Sequence, residues 1–226
     1  RHIQMSVLIA LPCYGGAVNE QTTVGLFKLG KELNRHGIDH GLLTLSNESL
    51  ISRGRSRIAN FYINNTDYDY LFFLDADIGF DPSSFFEIWA NRDLNLVSAA
   101  YPMKSLPLRY NYDLVHPRNS IRNGVLEIQG IGLGFTLISR SVFKRIAAHF
   151  PELKYVPATN ASNVSISERE MNNSYHYFLE RQINDRFLPE DHSFFSRARE
   201  CGFRAWLCDS VVLDHTGYYV FEGSNK

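Results

Sequence analysis

The stretch "YDYLFFLDADIGFDP", from Tyr68 to Pro82, decides the fold of this chain. Its five consecutive apolar or aromatic residues, "YLFFL", predict a strand that is buried on both faces, as in a parallel sheet. Asp75 and Asp77 follow at once, and alternate side chains of an extended segment face the same way. Ligands of open α/β sheets bind at the carboxyl ends of the strands. The stretch therefore predicts two carboxylates at a ligand-binding edge, although aspartate also ends strands simply as a turn former.

The residues before this stretch alternate between strand and helix patterns. "SVLIALP" predicts a buried strand that Pro12 ends, and "HGLLTLS" predicts a second strand. Between them, "EQTTVGLFKLGKELNRHG" has helical spacing with Val24, Phe27 and Leu33 on one face, and Gly37 is a suitable stop. We therefore expect the first two strands to be joined by a helix.

Two further helix patterns flank the central stretch. "SRGRSRIANFYINN" has Ser52 as a cap-like residue and Ile58, Phe61 and Tyr62 at helical spacing. Asp81-Pro82 resembles an N-cap followed by a first-turn proline, which opens the helix "SSFFEIWA". "LNLVSAAY" then predicts a fourth strand. This alternation favours a mainly parallel sheet with helices on both faces.

The second half of the chain has a different pattern. "GVLEIQGIGLGFTLIS" predicts one or two strands and "RSVFKRIAAHF" a helix, whereas residues 151–188 are polar and predict a long loop region. "EDHSFFSRARECG" predicts a helix with Phe194, Phe195 and Ala198 inward and Gly202 as its stop. "FRAWLC" and "SVVLDHTG" predict short closing strands.

Composition narrows the function classes. The 226 residues are 44% hydrophobic, which suits one domain, and the net charge of −1 gives no general attraction to nucleic acid or membrane. Apolar runs are far shorter than the roughly 20 residues of a spanning helix, so no membrane span is expected. Cys13, Cys201 and Cys208 have no metal or disulfide spacing and favour a reducing, cytoplasmic location. We interpret residues 1–4, which precede Met5, as a remnant of expression.

Later motifs accompany the carboxylate pair in a fixed order. "LFFLDADIGFDP" is followed by a glycine-rich strand and by "LPEDHSFFSRARECGFRAWLCDSVVLDHTG". From "VLIALP" to "DHTG", the chain resembles the nucleotide-sugar-dependent glycosyltransferases of the GT-A fold. Together with "SRGRSRIANFYI" and "AAYPMK", its overall look is closest to small glycosyltransferases of large DNA viruses and phages, which would place it in the host cytoplasm.

The resemblance implies a fold, a domain organisation and an activity. It implies one α/β domain over residues 5–226 of GT-A (Rossmann-like) type, with a mainly parallel central sheet, helices on both faces and a smaller antiparallel C-terminal part. Residues 5–104 would form the nucleotide-binding half and residues 105–226 the acceptor-side half. The implied reaction moves a sugar from a nucleotide-diphosphate donor, with a UDP-sugar favoured, to a hydroxyl acceptor.

The carboxylate pair is the expected metal site. Two neighbouring carboxylates repel each other unless a cation lies between them, and a divalent ion with oxygen ligands also binds a diphosphate. By resemblance, Asp75 and Asp77 bind Mn2+ or Mg2+, with Asp77 the preferred direct ligand and His215 of "LDHTG" a third ligand. An imidazole ligand favours manganese. The alternative for His215 is a structural histidine at a strand end.

Asp191 is the expected catalytic residue. By resemblance it is the general base of an inverting enzyme, because an alcohol acceptor is a poor nucleophile until a carboxylate removes its proton. Glu190 and Asp191 also suit a helix N-terminus, where carboxylates favour the positive end of the dipole. Both roles remain open at this point, and Glu190 has the further alternative of contacting a sugar hydroxyl.

Other residues are expected at the donor. By resemblance, Pro12, Cys13 and Tyr14 of "LPCYGG" border the nucleoside, and Ala76 contacts the donor between the two aspartates. In "SRGRSR", Arg53 or Arg55 contacts the base or the phosphates, since a planar guanidinium binds phosphate well. A solvated basic turn is the alternative for these arginines.

The remaining expectations concern the sugar and the acceptor. Alternate glycines of "QGIGLGF" leave one strand face bare, so Gly132 and Gly134 allow a sugar or acceptor to approach closely. Lys104 of "AAYPMK" contacts phosphate or acceptor, or is an exposed loop lysine. The resemblance leaves two acceptors open, a glycan, free or protein-linked, and a hydroxymethylated DNA base. The base would need a basic face, for which "KSLPLRYNYDLVHPRNSIR" offers four Lys/Arg residues and His116.

Two other function classes stay in view. A nucleotidyltransferase that makes sugar nucleotides should carry a basic residue in the loop after its first strand, but "LPCYGGAVNEQ" has none before Lys28. A non-catalytic nucleotide- or glycan-binding module should have lost part of its carboxylate set, but Asp75, Asp77 and Asp191 are all present. The leading prediction is therefore a metal-dependent glycosyltransferase.

Overall fold

A nine-stranded sheet forms the centre of the computed structural model, which describes residues 5–115, 121–122, 124–158, 165–217 and 220–224. Its strands are β1 (Ser6–Cys13), β2 (Asp39–Ser46), β3 (Tyr70–Leu74), β5 (Leu96–Ser98), β6 (Tyr112–Leu114), β7 (Ile121–Arg122), β8 (Val125–Ile131), β9 (Phe135–Ser139) and β14 (Ala205–Leu207). Seven short strands form smaller sheets: β4 (Ile78–Gly79), β10 (Lys154–Tyr155), β11 (Ser174–Tyr175), β12 (Arg181–Ile183), β13 (Arg186–Leu188), β15 (Asp214–Thr216) and β16 (Val220–Phe221).

Six α-helices occur in the described residues. They are α1 (Glu20–Arg35), α2 (Ile51–Asn65), α3 (Pro82–Ala90), α4 (Arg140–His149), α5 (Glu168–Asn172) and α6 (Glu190–Glu200). Two 3-10 turns cover Arg92–Leu94 and Pro151–Leu153. In the same part of the chain, no helix combines the length and apolar character needed to cross a membrane.

The strand order of the central sheet is β2-β1-β3-β9-β5-β14-β8-β6, with β7 beside β8. Seven of the nine strands run in one direction, and only β8 and β9 run the opposite way. The predicted α/β class, a GT-A (Rossmann-like) fold with a mainly parallel sheet, is thus confirmed. The strands of the first half are not contiguous, however, because β9 inserts antiparallel between β3 and β5.

Strand β3 shows why the sheet is covered on both faces. Its residues alternate between two cores, with Leu71 and Phe73 in one and Tyr70, Phe72 and Leu74 in the other. The first core contains buried side chains of α2, α4 and α6, and the second contains those of α1 and α3. The continuous apolar run of "YLFFL" therefore reflects burial by helices on two sides, as predicted.

The predicted antiparallel part is also present, but it is not purely C-terminal. β4 pairs antiparallel with β15, which pairs antiparallel with β16. Two further two-stranded antiparallel sheets pair β10 with β11 and β12 with β13. β4 follows Asp77 immediately and places Ile78 opposite His215. The first half of the chain thus contributes one strand to the C-terminal sheet.

Several local predictions need correction. Helix α1 buries Gly25, Leu29 and Leu33, whereas Val24 and Phe27 are exposed. The helix turns this face inward because Gly25 lets it approach Phe80, where a Cβ atom would lie only 2.7 Å from the ring.

The ends of other elements differ by one or two residues. Pro12 lies inside β1 rather than ending it, and Ser52 lies inside α2, whose N-cap is Leu50. Residues 151–188 were expected to be a loop region, yet their described part contains α5, started by a capping box between Ser167 and Glu170, and the β12–β13 hairpin. Gly37 and Gly202 have positive φ angles after α1 and α6, as their predicted roles as helix stops require.

Candidate functional site

A cavity of about 460 Å³ opens at the carboxyl ends of β1 and β3. These two strands are parallel neighbours, so the residues that follow each of them meet at the same edge of the sheet. Its lining combines the loop after β1, helix α2, the aspartate pair, and the start of α6: Pro12, Cys13, Tyr14, Ala17, Asn19, Ile51, Arg55, Asp75, Ala76, Asp77, Tyr101, Gly132, Leu133, Glu190 and Asp191.

Asp75 is held by a buried arginine. Arg55 Nη2 lies 2.9 Å from Asp75 Oδ1, and the Arg55 side chain is only 3% exposed. Burial alone would lower the pKa of the Arg55 guanidinium, but Asp75, Tyr101 and Glu190 outweigh it and hold that pKa above its ordinary value. Arg55 Nε and Nη1 are buried and have no hydrogen-bond partner among the described residues.

Gly134 fixes the backbone position of Asp75. The Asp75 N–H donates to Gly134 O at 2.9 Å, and a Cβ atom on Gly134 would lie 2.6 Å from Asp75 Oδ2. The Gly134 N–H in turn donates to the Tyr101 hydroxyl at 3.3 Å. The bare strand face predicted at the alternate glycines therefore accommodates the protein's own Asp75 and Tyr101.

Asp77 lies in a second cluster, with Lys104 and His215. The antiparallel pairing of β4 with β15 brings His215 beside it, and His215 Nε2 lies 3.4 Å from Asp77 Oδ2. Lys104 Nζ donates to the same oxygen. Burial raises the pKa of Asp77, but His215 and Lys104 outweigh burial and hold that pKa below its ordinary value.

The geometry of His215 suits a metal ligand. Its Nδ1 lies 2.8 Å from Pro102 O, and because a carbonyl only accepts, Nδ1 carries the proton. Nε2 is then the nitrogen that faces Asp77, an arrangement that orients imidazole ligands in metal sites. Within the described ranges, however, no three His, Cys, Asp or Glu side chains converge on one point, because Asp75 stays with Arg55. Of the predicted ligands, Asp77 and His215 lie close enough to hold a cation together, and Lys104 also binds Asp77.

Glu190 and Asp191 begin helix α6 at the opposite wall. Desolvation, with the neighbouring Asp191 charge, raises the pKa of Glu190, and Arg55 opposes this shift from 3.8 Å. Asp191 Oδ1 accepts the backbone N–H of His192 at 2.7 Å and faces His192 Nδ1 at 2.9 Å. The N-cap residue itself is Pro189, which makes no side-chain cap, so the two carboxylates lie in the first helical turn.

A smaller cavity of about 270 Å³ meets the first one. Tyr101, Gly132 and Asp191 line both cavities. The rest of the second cavity is formed by a mixture of apolar and polar side chains from the segment after β5 and from β8 and β15: Met103, Lys104, Asn111, Ile131 and His215. Asp191 is thus the carboxylate that lines both cavities.

Most predicted site residues come together here, but not all. Arg53 pairs with Glu48 through contacts of 2.7 Å and does not line either cavity. Lys104 lines the second cavity and is bound to Asp77, not free in a loop. His116, part of the basic stretch proposed for DNA, lies outside the described residues.

Sequence reasoning missed His192 and Asp113. His192 directly follows Asp191, and its Nε2 lies 3.3 Å from Asp113 Oδ2. Adjacency to Asp191 was the one available signal for His192, whereas the sequence pattern of "YNYDLV" gives no indication that Asp113 reaches the same cluster.

Comparisons with known proteins support the fold. No protein-family model and no curated protein matches the chain. The crystal structure of A197 from STIV is similar over 98% of this chain and 96% of its own, with 20% identity and a TM-score of 0.55. At this identity the likeness shows the fold alone.

Further solved structures are similar at a lower level. GalNAc-T7, solved with UDP, GalNAc and Mn2+, matches 92% of this chain and 43% of its own at 9% identity and a TM-score of 0.44. UDP-glucose pyrophosphorylase complexed with UDP-glucose matches 97% and 92% at 8% identity and a TM-score of 0.48. The similar solved structures thus include both glycosyltransferases and nucleotidyltransferases. Their TM-scores are too low to assign either activity to this chain.

Proposed function

We propose that this protein is a metal-dependent, inverting glycosyltransferase that uses a nucleotide-diphosphate sugar, with a UDP-sugar favoured. The observation that supports this most strongly is the meeting of two cavities at Asp191. A transferase needs a donor site and an acceptor site whose reacting atoms come within bonding reach, with a base between them. We assign the larger cavity to the donor and the smaller one to the acceptor.

In this proposal the donor diphosphate lies above the aspartate pair. Asp77 and His215 would hold the Mn2+ or Mg2+ ion, and Asp75 would keep Arg55 oriented toward the donor. The bound cation would offset the negative charge that develops on the departing diphosphate. Tyr14, which is 70% exposed at the rim, has room to cover the nucleoside. Arg55 lines this cavity, and its Nε and Nη1 have no hydrogen-bond partner among the described residues, which supports a role in binding the donor.

The acceptor hydroxyl enters from the smaller cavity. Asp191 takes its proton while the acceptor oxygen forms a bond to the anomeric carbon of the donor sugar. The bond from that carbon to the diphosphate breaks in the same step, on the side of the aspartate pair. Attack from one cavity and departure toward the other give inverted configuration. The cavity walls Met103 and Ile131 suit the apolar face of a sugar ring, which favours a glycan acceptor over a DNA base.

The alternatives have less support. A nucleotidyltransferase needs cations in the loop after its first strand, but that loop contributes Tyr14, Ala17 and Asn19 to the cavity. Lys28, the first cation along the chain after β1, lines a different depression beside α3. A purely binding module gives no reason for a carboxylate at the junction of two cavities.

A donor screen tests the proposal. The protein is incubated with single nucleotide sugars and Mn2+, and free nucleoside diphosphate is followed by mass spectrometry with and without chelator. We expect slow, chelator-sensitive release from one donor. Release of pyrophosphate or of sugar phosphate instead would establish the nucleotidyltransferase, and binding without release, even with a glycan acceptor library, would establish a binding module.

Matched variants distinguish the loss of a site carboxylate from the loss of a carboxylate elsewhere on the protein. Asp77→Asn should abolish the chelator-sensitive release, whereas Asp81→Asn alters only the exposed N-cap of α3, whose side chain accepts from Ser83 N–H at 3.1 Å. Asp191→Asn should keep donor binding and lose transfer by about 100-fold or more. The configuration of the product, measured by NMR, decides inversion, and a retained configuration would contradict the role of Asp191.

A further inference from the structure

We propose that His192 and Asp113 form, with Asp191, a three-membered chain in which His192 is the positioning residue of the base. This inference rests on the proposed function. His192 Nδ1 lies 2.9 Å from Asp191 Oδ1, and His192 Nε2 lies 3.3 Å from Asp113 Oδ2. The imidazole thus bridges two carboxylates that belong to a helix and to a distant strand.

The surrounding backbone is arranged for this bridge. Strand β6 pairs with β8 so that Asp113 is opposite Gly130. A Cβ atom on Gly130 would lie 2.8 Å from Cδ2 of His192, so only glycine leaves space for the ring. Asp113 therefore reaches across a bare position of β8 to the imidazole on α6. Of the alternate glycines, Gly130 leaves space for this histidine, whereas Gly132 and Gly134 leave space for Tyr101 and Asp75.

The charges around the ring favour its protonated form. The hydrogen bond to Asp191 is the largest cause of a raised pKa for His192, and Asp113 adds to it against the effect of burial. The charged groups that act on the ring are Asp191 on its own helix and Asp113 on β6. Two carboxylates thus contact one imidazolium from opposite sides.

This arrangement positions the base. Asp191 Oδ1 accepts both the backbone N–H and the ring N–H of His192, which leaves Oδ2 as the oxygen for the acceptor hydroxyl. Asp113, with a side chain that is 64% exposed, links the ring to solvent without being part of the cavity walls.

The first test is an NMR titration of the histidine side chains, which needs no enzymatic turnover. His192 is assigned by the signal that disappears in His192→Asn. We expect its titration midpoint to lie above the ordinary 6.5 in the parent and to fall in both Asp113→Asn and Asp191→Asn. A midpoint that neither variant moves would overturn the chain, whether or not the protein transfers sugar.

The second test uses transfer kinetics once a donor and an acceptor are known. His192→Phe should lower kcat by about 10- to 100-fold with the donor KM unchanged, because a charge-assisted hydrogen bond to the base is lost. His192→Asn, which keeps an N–H near the Nδ1 position, should recover part of that loss. Asp113→Asn should lower kcat by about two- to tenfold and move the alkaline limb of the pH–kcat profile to lower pH, because the pKa of His192 falls without the Asp113 carboxylate.

The controls keep this test decisive. His149→Phe changes an exposed histidine at the end of α4 and should behave as the parent. If His192→Phe does not fold, Asp113→Asn still tests the chain, since it alters an exposed side chain. Parent-like kcat in both Asp113→Asn and His192→Asn, with an unmoved alkaline limb in Asp113→Asn, would overturn the positioning role while leaving the proposed glycosyltransferase activity intact.

Discussion

Replacing Gly134 with alanine tests the crowding that fixes the aspartate pair. The added Cβ would lie 2.6 Å from Asp75 Oδ2 and 2.9 Å from Tyr101 Cε1, both well inside van der Waals contact. The Tyr101 ring is packed against His215 at a centroid distance of 5.1 Å, so the carboxylate is the group that must turn. Turning it removes Asp75 Oδ1 from Arg55, whose side chain is 3% exposed and then lacks its closest counter-charge.

The expected loss follows from that one interaction. A hydrogen bond to a charged group contributes about 1.5–3 kcal/mol. For a chain of 226 residues, each kcal/mol lowers Tm by about 2–4 °C, so Gly134→Ala should melt about 3–12 °C below the parent. Differential scanning calorimetry of both proteins at the same pH gives the measurement, and nucleotide binding in the presence of Mn2+ should weaken in parallel.

Gly15→Ala is the matched control, since a Cβ atom there meets nothing within 4 Å. Its Tm should equal that of the parent or exceed it slightly, because alanine restricts the unfolded chain. Equal Tm values for Gly134→Ala and Gly15→Ala would refute the crowding argument, and with it the claim that Gly134, in the turn between β8 and β9, fixes Asp75.

Three further substitutions test single contacts. Lys104→Met removes the ammonium that competes for Asp77 and should raise the affinity for Mn2+ without nucleotide about two- to fivefold, by calorimetry, whereas Lys104→Arg should not. Burial and the Asp191 charge raise the pKa of Glu190. Protonated Glu190 therefore adds to the stability of the folded protein below pH 4.5, and this contribution is lost as the pH rises through the raised pKa. Glu190→Gln should therefore resist urea better than the parent at pH 7 but not near pH 4, and equal midpoints at pH 7 would contradict this. Arg140 donates to backbone carbonyls at the end of α2, at 2.8 to 3.2 Å, so Arg140→Met should cost about 2–4 kcal/mol in urea unfolding, and an unchanged midpoint would exclude this role.

The sequence predicts the elements that depend on local pattern. The run "YLFFL" specifies a doubly buried strand, and the capping pair Asp81-Pro82 specifies the start of α3, because both signals lie within a few residues. The packed face of α1 was predicted wrongly for a physical reason. Apolar side chains occur around most of that helix, and the choice between faces is made by contact of Gly25 with Phe80, which lies 55 residues away in the sequence.

The candidate site shows the same division. The proximity of Asp75 and Asp77 is local and was predicted. The sequence did not predict that Asp75 would pair with Arg55 and Asp77 with Lys104. Alternating side chains face one way only while the strand continues, and β3 ends at Leu74, before the first aspartate. Asp75 then contacts a helix and Asp77 contacts the C-terminal sheet, contacts that depend on long-range packing.

The choice between Arg53 and Arg55 has a similar cause. Both arginines lie in one turn of α2. Residues that are two positions apart on a helix point in different directions. Arg55 faces the core beneath the cavity, where its guanidinium stacks over Phe73 at 5.2 Å, whereas Arg53 faces Glu48 at the surface. The sequence alone does not give the rotation of α2 about its axis relative to the sheet. It therefore could not distinguish Arg53 from Arg55.

The position of Asp191 is determined by the core side of its helix. Helix α6 buries Phe194 and Phe195, and Arg197 donates to Leu179 O at 2.6 Å, so the helix is fixed by packing and hydrogen bonds one turn after the carboxylate. Ser193 Oγ donates to Leu188 O at 2.9 Å, which also ties the β12–β13 hairpin to the first turn. A carboxylate on a buried helix keeps its geometry better than one on a loop. Changes in the hairpin should therefore reach the site through the position of Asp191 rather than through direct contact with either cavity.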